Sequence, residues 1–495
     1  MKPRQFLAVD LGAESGRVIL GTLEHERLTV RELCRFPNGP IQLLGHLHWN
    51  LPALFEEIMK GARVCVQDLG VQPDSLAVDT WGVDFGLVAE DGSLLGLPYA
   101  YRDPRTLGVM DEFFKRMPRE EVYALTGIQF MSFNSLFQLA ALVRDGSPLL
   151  EAASGLLFMP DLFHYLLTGR RSSELTIATT SQLYNPRKKT WSRELMAALG
   201  LPESLMQDVK RPGTIIGPLT AEVAEATGLS RETEVIATAT HDTASAVAAV
   251  PAQGRDWAYI SSGTWSLMGI ESSEPIINSR TLKLNFTNEG GIEGRTRFLK
   301  NVTGLWLLQQ CRRKWQGGSA EGPSYGDLVR AAEESTAFRT LIDPDDPDFL
   351  NPPDMPEAIR VYARRTGQPE PDSRASFVRC ILESLALKYR HVLDQLREVS
   401  PQPIAKIHVI GGGSQNSLLC RFTAEATALP VVAGPGEATA SGNILVQALA
   451  LGVVRSQEEI RDVMRNSTSL ETFEPKSPGA WEQAYERFRG LPGIA

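Results

Sequence analysis

The chain has 495 residues, too many for one hydrophobic core, so two domains of ordinary size are expected. Its formal net charge of −9 argues against a surface that binds nucleic acid or an anionic membrane, because neither attracts an acidic face. No apolar stretch approaches the roughly 20 residues that a membrane-spanning helix needs, and the first apolar run is too short for a signal peptide. The five dispersed cysteines indicate free thiols in a reducing cytoplasm.

The first predicted elements form an antiparallel meander. Residues 6–12, FLAVDLG, have the pattern of a buried strand that ends in Asp and Gly, and residues 17–23 and 28–33 have the pattern of two more strands. The turn after the first strand is rich in Gly and Ser, as in a tight hairpin. Strand-like and helix-like segments then alternate along the chain, which predicts an α/β protein.

Three later segments repeat earlier ones in the same order. Residues 257–270, WAYISSGTWSLMGI, again have the pattern of a strand, a turn of small residues and a strand. Residues 406–413 match 75–82, because both are buried strands that run into glycine. Residues 430–448 match 234–249, since each has an apolar strand, a loop and a helix of small residues. Self-similarity at about half the chain length predicts duplication of an α/β domain.

The boundary between the two copies is predicted within residues 250–257, VPAQGRDW. Proline and glycine interrupt the helix-like sequence there, and a new strand begins directly afterwards. The predicted domains therefore span residues 1–250 and 251–495.

The two turns of small residues are candidate phosphate sites. Gly12 and Gly16 in DLGAESGR permit close backbone approach, and successive N–H groups in such a turn can bind an anion. For this turn alone, an ordinary hairpin capped by Asp10 is an equally good interpretation. The second copy, SSGTWS at 261–266, keeps the small hydroxylated turn but has Ser261 in place of the aspartate. Two such turns, only one of them acidic, favour a nucleotide held between two domains with Mg²⁺ on one side.

Among the other glycine-rich and kinase-like strings, one is a candidate ligand-binding turn, and the known nucleotide-binding and protein-kinase motifs are not matched. GGGSQN at 411–416 follows a strand, and three consecutive glycines indicate a backbone that a flat ring or phosphate approaches closely. It is not a G-x-G-x-x-G fingerprint, and the chain has no P-loop motif. The DFG at 84–86 lacks the other protein-kinase motifs. Trp81 and Gly82 just before it are interpreted either as a substrate-facing loop or as a buried structural turn.

The string TATHDTASAV, residues 238–247, contains a candidate general base. Aspartate is among the best helix N-caps, and TASAVAA is a good short helix, so Asp242 viewed alone is predicted to cap a helix. An aspartate at the carboxyl end of a strand is also well placed to accept a proton from a substrate hydroxyl. Both roles stay open at this point.

These motifs together resemble the FGGY carbohydrate kinases of the actin/hexokinase/Hsp70 ATPase superfamily, over essentially the whole chain. The resemblance implies two RNase H-like domains related by duplication that close over a cleft. Residues 1–250 would carry the sugar-binding side and the catalytic aspartate, and residues 251–495 the adenosine-binding side. The strings that carry the resemblance are AVDLGAESGR (8–17), DTWGVDFG (79–86), SSGTWS (261–266), TNEGGIEG (287–294), LKNVTGLWLLQ (299–309) and GGGSQN (411–416).

The resemblance implies ATP-dependent phosphorylation of L-rhamnulose at its 1-hydroxyl, giving L-rhamnulose 1-phosphate and ADP in L-rhamnose breakdown. It implies that Asp242 is the general base and that Asp10 holds Mg²⁺ through water. The sugar contacts that it implies are Gly82, His241, Asp242, Thr243 and Asn301. The ATP contacts that it implies are Ala13, Glu14, Ser15, Gly16, Arg17, Thr264, Gln309 and Gly412.

Several alternatives stay open beside this interpretation. The substrate could be another ketose such as L-fuculose, or the chain could be a non-catalytic sugar or nucleotide sensor, although a sensor needs no base. The role of Glu14 is open, because a carboxylate near phosphates repels them unless it points away or joins the metal shell. Gln138 stands near the position where FGGY kinases at large carry a lysine. The expected partners are a sugar and ATP, without nucleic acid or membrane, and the expected state is a monomer or a homodimer.

Overall fold

The computed structural model describes residues 3–316 and 322–494 and contains two compact units. The first unit comprises Met1–Pro251, Glu271–Leu299 and Ala438–Thr468. The second comprises Ala252–Ile270, Lys300–Glu437 and Ser469–Ala495. Division of the sequence into domains 1–250 and 251–495 stays a prediction. The compact units differ from it mainly because two later segments pack with the first unit.

The strands belong to two main sheets and several short pairs. In chain order they are β1 (Arg4–Leu11), β2 (Ser15–Glu24), β3 (Arg27–Pro37), β4 (Ile41–Leu43), β5 (His46–His48), β6 (Ser75–Thr80), β7 (Phe85–Val88), β8 (Gly155–Phe158), β9 (Ser173–Glu174), β10 (Tyr184–Asn185), β11 (Thr190–Trp191), β12 (Val209–Lys210), β13 (Thr214–Pro218), β14 (Glu234–Ala237), β15 (Trp257–Ser262), β16 (Trp265–Ser272), β17 (Thr287–Gly290), β18 (Thr296–Thr303), β19 (Lys406–Ile410), β20 (Val431–Ala433) and β21 (Glu471–Phe473).

The helices alternate with these strands, which confirms the predicted α/β class. In chain order they are α1 (Leu51–Arg63), α2 (Val109–Phe113), α3 (Arg119–Thr126), α4 (Ser135–Arg144), α5 (Pro148–Ala152), α6 (Met159–Thr168), α7 (Leu175–Thr180), α8 (Arg193–Leu199), α9 (Ala221–Thr227), α10 (Asp242–Ala248), α11 (Ser279–Lys283), α12 (Trp306–Gln316), α13 (Tyr325–Glu334), α14 (Met355–Arg365), α15 (Arg374–Val399), α16 (Ser417–Thr427), α17 (Ala438–Ala450), α18 (Gln457–Ser467) and α19 (Pro478–Arg489).

The sheet of the first unit has the strand order β13-β14-β6-β1-β2-β3. The predicted meander is present, because β1 pairs antiparallel with β2 and β2 antiparallel with β3. Strand β6 then joins the other edge of β1 in parallel, and β14 joins β6 in parallel. The parallel pairing places the carboxyl ends of β1, β6 and β14 at the same edge of the sheet, where ligands of α/β proteins usually bind.

The sheet of the second unit repeats this arrangement. Strands β15 and β16 form an antiparallel hairpin, β19 joins β15 in parallel, and β20 joins β19 in parallel. An antiparallel strand, β21, closes the edge as β13 does in the first unit. Each of the three correspondences seen in the sequence joins strands with the same place in the two sheets. The shared strand order therefore supports the predicted duplication.

Two apolar cores stabilise the first unit. One lies between the β1–β2 face of the sheet and helices α10, α17 and α18, with fully buried Phe6, Ala8 and Ile444. The other lies between α4 and the elements around it, with fully buried Phe137 and Phe158. Burial of such side chains stabilises a fold by roughly 1.5–3 kcal/mol each. The first core fixes the strand ends that carry the candidate site.

All five cysteines are free thiols, and Cys34 alone of the five is not fully buried. None of the helices in the described part of the chain combines the length and the apolar character that crossing a bilayer requires.

Candidate active site

Two aspartates stand side by side at the carboxyl ends of neighbouring strands. Asp10 in β1 and Asp79 in β6 are direct partners in the parallel register. Asp79 is fully buried, and its Oδ2 accepts a hydrogen bond of 2.6 Å from the side-chain amide of Asn443 in α17. Its Oδ1 has no hydrogen-bond partner among the described residues. Burial, and then the negative charge of Asp10, raise the pKa of Asp79 well above its ordinary value.

Asp10 is paired with Arg17 across the hairpin. The two residues are opposite each other in the antiparallel register, and Arg17 Nη2 donates to Asp10 Oδ2 at 2.5 Å. The turn between them is closed by a 2.9 Å hydrogen bond from Gly12 N to the Ser15 carbonyl. A β-carbon at Gly16 would stand 2.2 Å from the ring of Phe36, so this glycine is required by packing. That requirement is independent of any nucleotide.

The donor set at these strand ends fits a hard divalent cation. Mg²⁺ typically takes one or two carboxylates and fills its remaining positions with water and phosphate oxygens. Asp10 and Asp79 supply two adjacent carboxylates, one of them with an orphaned buried oxygen. Within residues 3–316 and 322–494 no group of three His, Cys, Asp or Glu side chains could enclose a metal. An ion at this edge would therefore keep a largely open coordination shell.

Asp242 follows β14 and is the first residue of α10. The cap position itself belongs to His241, so the predicted N-cap role of Asp242 is wrong by one residue. The backbone of His241 is extended, with ψ 121°, and helical geometry begins only after it. Asp242 Oδ1 accepts hydrogen bonds from Thr243 N at 2.5 Å and from Thr243 Oγ1 at 3.1 Å. The carboxylate thus still satisfies donors in the first turn of the helix.

The surroundings of Asp242 make its carboxylate more basic than usual. Surrounding protein atoms, and secondarily the charge of Asp10, raise the pKa of Asp242, while His241 and the hydrogen bonds from Thr243 oppose this rise. The side chain nevertheless keeps 31% of its surface exposed, so a ligand hydroxyl can reach it. A raised pKa and an accessible oxygen are what a general base requires.

His241 connects Asp242 to a buried ion pair. Its Nε2 lies 3.5 Å from Asp242 Oδ1, and its Nδ1 lies 3.2 Å from Glu289 Oε2 and 3.1 Å from Arg297 Nη2. Arg297 Nη2 and Glu289 Oε2 are themselves 3.0 Å apart. Burial favours a higher pKa for Glu289, but the charge of Arg297, 3.0 Å away, acts against it, and the pKa of Glu289 is lowered.

A second buried carboxylate holds the backbone just before His241. Glu174 Oε2 accepts from Thr240 N at 3.2 Å and from Thr240 Oγ1 at 2.6 Å. The same oxygen accepts from Thr176 N, Thr176 Oγ1 and Ile177 N at the start of α7. Thr176 Oγ1 in turn accepts from His241 N at 3.1 Å. Glu174 therefore ties α7 to the loop that presents His241 and Asp242.

The loop after β6 is also anchored to α7. Thr80 N donates to the Thr240 carbonyl at 2.9 Å, which joins this loop to the one that carries Asp242. A β-carbon at Gly82 would lie 3.3 Å from the side chain of Thr180, and Val83 N donates to Thr180 Oγ1. Gly82 is therefore glycine because α7 packs closely against it. Gly82 lies two residues after Thr80, whose N–H donates the hydrogen bond that joins the two loops.

Asp84, at the end of that loop, accepts hydrogen bonds from four surrounding residues. Its Oδ2 accepts from the indole N–H of Trp49 at 2.6 Å, the indole N–H of Trp81 at 3.0 Å and the backbone of Tyr101 at 3.1 Å. Its Oδ1 accepts from Gln138 Nε2 at 2.8 Å. Burial outweighs these four bonds and raises the pKa of Asp84 to about 6. Trp81 is 5% exposed, which favours the structural interpretation of this tryptophan.

Gln138, the departure noted in the sequence, is a connector between polar groups. Its Oε1 accepts from Arg105 Nη2 at 2.7 Å, and its carbonyl accepts from Arg105 Nη1 at 2.9 Å. Its amide nitrogen also donates to the Phe133 carbonyl at 2.9 Å. A lysine here would leave the Arg105 guanidinium without this acceptor and would place two cations together.

The second unit carries the remaining predicted nucleotide contacts. Thr264 lies in the β15–β16 turn, and its carbonyl accepts from the backbones of Gly304 and Trp306. Gln309 follows in α12, and its Oε1 is buried without a hydrogen-bond partner in the described part of the chain. A β-carbon at Gly413 would stand 2.0 Å from Ser262 Oγ, whereas one at Gly412 would meet nothing within 4 Å.

The structure thus brings some predicted residues together and adds others. Within the first unit Asp10 pairs with Arg17, and Asp242 contacts His241 and Thr243; the charge of Asp10 also raises the pKa of Asp242. Asn301 lies half-buried in β18 of the second unit. Asp79, Glu174, Glu289 and Arg297 were not predicted as site residues from the sequence. One signal was available for Asp79, since AVD precedes the last residue of both β1 and β6.

Comparison with known proteins agrees with the predicted resemblance. The model for the FGGY family of carbohydrate kinases, N-terminal domain, matches residues 5–249, and the model for the C-terminal domain of that family matches residues 258–451. A rhamnulokinase of Bacteroides thetaiotaomicron is 51% identical over 486 residues, which cover 98% of this chain and 99% of the relative. A rhamnulokinase of Pectobacterium carotovorum is 44% identical and covers 99% of this chain and 97% of the relative.

Solved structures agree on the fold. A gluconate kinase from Lactobacillus acidophilus superposes with a TM-score of 0.80 at 14% identity and covers 98% of this chain and 97% of its own. Plasmodium falciparum glycerol kinase, solved with ADP, gives a TM-score of 0.77 at 14% identity and covers 98% of both chains. At such low identity the likeness establishes the fold alone.

Proposed function

The chain belongs to the FGGY family of carbohydrate kinases, and we propose that it phosphorylates L-rhamnulose with ATP at the 1-hydroxyl. The products are L-rhamnulose 1-phosphate and ADP, in the breakdown of L-rhamnose. The choice of sugar is supported by relatives named rhamnulokinase that are 51% and 44% identical over nearly the whole chain. The observation that carries the chemistry is the position of Asp242 after β14, where its half-buried carboxylate stays accessible and burial and the charge of Asp10 raise its pKa.

Asp242 acts as the general base in this proposal. Both hydrogen bonds from Thr243 go to Oδ1, which leaves Oδ2 for the sugar hydroxyl. Hydrogen bonding to that oxygen orients the hydroxyl toward the γ-phosphate, and the carboxylate accepts its proton as the new O–P bond forms. Phosphoryl transfer depends mainly on positioning and charge neutralisation, so one carboxylate in a fixed backbone is sufficient.

Asp10 and Asp79 would hold Mg²⁺ in this proposal, Asp10 through water. The bound ion supplies neutralisation of the negative charge on the ATP phosphates. Arg17 already neutralises Asp10 at 2.5 Å, so the hairpin presents a smaller net negative charge to phosphate than its carboxylates alone would. The adjacent orphaned oxygen of Asp79 supports the assignment of a cation to this edge.

The remaining contacts are proposals of the same kind. Gly82, His241, Thr243 and Asn301 would contact the sugar. Ala13, Glu14, Ser15, Gly16, Arg17, Thr264, Gln309 and Gly412 would contact ATP. Two observations on the described residues support the nucleotide assignments: none of them donates to the buried Gln309 Oε1, and none lies within 4 Å of a β-carbon placed on Gly412. We place the enzyme in the cytoplasm, where ATP is available, and expect a monomer or a homodimer.

A panel of ketoses tests this function. Release of ADP is measured with L-rhamnulose, L-fuculose and other ketoses for the unmodified protein, Asp242→Asn and the exposed-loop control Asp91→Asn. We expect L-rhamnulose to give the highest kcat/KM, Asp242→Asn to lose on the order of 10²–10⁴-fold in kcat, and the control to lose nothing. Equal turnover by Asp242→Asn would remove it as the base. A higher kcat/KM for L-fuculose would change the substrate but keep the reaction class.

A further inference from the structure

Arg297 is a fully buried cation next to the candidate base. Its Nε donates to the Gly290 carbonyl at 2.8 Å, and its Nη2 contacts both Glu289 Oε2 and His241 Nδ1. Glu289 and Arg297 are opposite each other in the antiparallel register of β17 and β18, so the pair is fixed by the strands. No charged group other than Glu289, Arg297 and Asp242 is recorded against the His241 ring in the described chain.

The donor chemistry of arginine decides which nitrogen of His241 carries hydrogen. A guanidinium can only donate, so the 3.1 Å contact from Arg297 Nη2 is a hydrogen bond only when Nδ1 keeps its lone pair. In the neutral ring the hydrogen is then on Nε2, which lies 3.5 Å from Asp242 Oδ1. In the opposite tautomer the Nδ1–H of His241 would face an N–H of Arg297. The lone pair on Nε2 would then face the carboxylate oxygen of Asp242.

Glu289 and Arg297 both lie within hydrogen-bond distance of His241 Nδ1. Its Oε2 lies 3.2 Å from His241 Nδ1, so an unneutralised Glu289 would draw a proton onto that nitrogen. Arg297 neutralises the carboxylate at 3.0 Å and occupies the Nδ1 lone pair at the same time. One guanidinium therefore lies against both the Glu289 carboxylate and His241 Nδ1, while the other ring nitrogen lies toward Asp242.

We propose that Arg297 is a positioning residue for the phosphoryl transfer, which holds His241 as the neutral Nε2–H tautomer with its N–H facing Asp242 Oδ1. This rests on the proposed function, in which Asp242 is the base. The N–H faces the carboxylate oxygen that also accepts from Thr243, and the other oxygen is left for the sugar hydroxyl. Without Arg297, His241 takes a proton on Nδ1, and the positive ring next to Asp242 makes the carboxylate a weaker base.

The state of the ring is measured directly by long-range ¹H–¹⁵N correlation spectra of protein labelled with ¹⁵N-histidine. The His241 signals are identified by their loss in His241→Gln. We expect the neutral Nε2–H tautomer near neutral pH in the unmodified protein, and a doubly protonated or Nδ1–H ring in Arg297→Met. Hydrogen on Nδ1 in the unmodified protein would overturn the proposal. This measurement needs no substrate, so its result does not depend on the proposed reaction.

Kinetics with a rescue variant separates positioning from folding. We expect Arg297→Met to lose on the order of tenfold in kcat near neutral pH, with a smaller change in the KM for sugar, and to recover as rising pH removes the extra proton. Arg297→Met combined with Glu289→Gln lacks the carboxylate that draws this proton, so the double variant should be faster than Arg297→Met alone. A slower double variant, or a pH profile unchanged by Arg297→Met, would contradict the proposal.

Arg461→Met is the matched control, because it also breaks a buried arginine–glutamate pair in the first unit, with Glu271. It should lower stability without changing the His241 spectrum or the pH profile. If Arg297→Met does not fold, the tautomer of His241 measured in the unmodified protein and in Glu289→Gln still tests the proposal. In Glu289→Gln we expect Nε2–H to persist, since Arg297 remains to donate to Nδ1.

Discussion

Gly442 of α17 lies directly against the backbone of Ser245 in α10: a β-carbon on Gly442 would stand 1.8 Å from the Ser245 carbonyl oxygen. The next residue, Asn443, donates to Asp79 and accepts a hydrogen bond on its carbonyl from Thr238 Oγ1. The close approach of the two helices therefore sets how far Asn443 reaches toward the carboxylates at the strand ends. Packing and the candidate site are coupled through adjacent residues of one helix.

Gly442→Ala should destabilise the protein although alanine is the better helix former. The clash is with backbone, which cannot move aside as a flexible side chain can, so we expect a loss of about 1–3 kcal/mol in the free energy of unfolding. Gly326→Ala in α13 is the control, because its β-carbon would meet nothing closer than 4.0 Å, and it should stabilise or be neutral. Urea unfolding compares the two, and equal stabilities would contradict the crossing geometry.

Gly412→Ala and Gly413→Ala should separate nucleotide binding from folding. A β-carbon at Gly412 meets open space, so the variant should unfold like the unmodified protein but show a raised KM for ATP. A β-carbon at Gly413 would stand 2.0 Å from Ser262 Oγ and 3.1 Å from the Ser262 carbonyl, so that variant should lose stability first. Thermal unfolding and ATP titrations are measured on both. An unchanged KM in Gly412→Ala would remove Gly412 from the ATP contacts.

The repeated hairpin, the later strand ends and the small-residue helices could be predicted because each has a local pattern of burial and turn residues. The helix position of Asp242 was missed by one residue, since propensity does not distinguish a cap from the first helical residue. Glu289 and Arg297 could not be assigned, because their roles depend on which strand lies opposite. Asn443 acts on Asp79 across 364 positions, and a single sequence does not reveal such a pair.

Asp79→Asn should stabilise the metal-free protein while weakening its response to Mg²⁺. Burial, and then the nearby charge of Asp10, disfavour the charged form of Asp79 when no cation is bound, and an asparagine keeps an acceptor for Asn443 while removing that charge. We expect a gain of roughly 1–2 kcal/mol in chelator. We also expect a smaller rise of the melting temperature on addition of Mg²⁺ and ATP than in the unmodified protein.

Asp343→Asn is the matched control for that substitution. Asp343 is also buried, but its Oδ1 accepts from Lys388 Nζ at 2.8 Å. Removing this carboxylate takes one of two partners from the buried Lys388, which keeps Asp345 at 3.0 Å, so the control should be destabilised by roughly 1–3 kcal/mol. Melting curves in chelator distinguish the two cases. A loss of stability for Asp79→Asn comparable to that of Asp343→Asn would show that Asp79 is not electrostatically strained.

Asp84 should make part of the stability depend on pH. Its pKa is raised to about 6 in the folded protein, above the ordinary value of 3.8, so the folded state binds more protons between these values. The corresponding stabilisation is complete below the unfolded pKa and is lost as pH rises through about 6. Between pH 5 and 7.5 the advantage of the unmodified protein over Asp84→Asn should fall by roughly 1 kcal/mol.

Asp84→Asn should also differ from the unmodified protein in free energy of unfolding for a reason that does not depend on pH. An asparagine places an N–H opposite Gln138 Nε2, which is held by Arg105 and Phe133 and cannot turn to accept, so the variant should be the less stable protein throughout. The test is how the difference in free energy of unfolding between the unmodified protein and Asp84→Asn changes with pH. It is measured by denaturant unfolding at each pH. Asp91→Asn, on an exposed loop, should show no such fall. A difference that grows with pH would contradict the assignment.

The first unit is discontinuous in sequence, and this sets an order of events during synthesis. A ribosome releases β1, β2 and β6 hundreds of residues before α17, whose Ile444 and Gln447 cover these strands through apolar contact with Gly21 and hydrogen bonds to Ser75 and Leu7. Until residues 438–468 emerge, that apolar sheet face lacks the cover of α17 and α18. A nascent chain stalled before that point would expose it to chaperones and proteases, so a premature stop codon before residue 438 would leave the first unit incomplete as well as truncating the second.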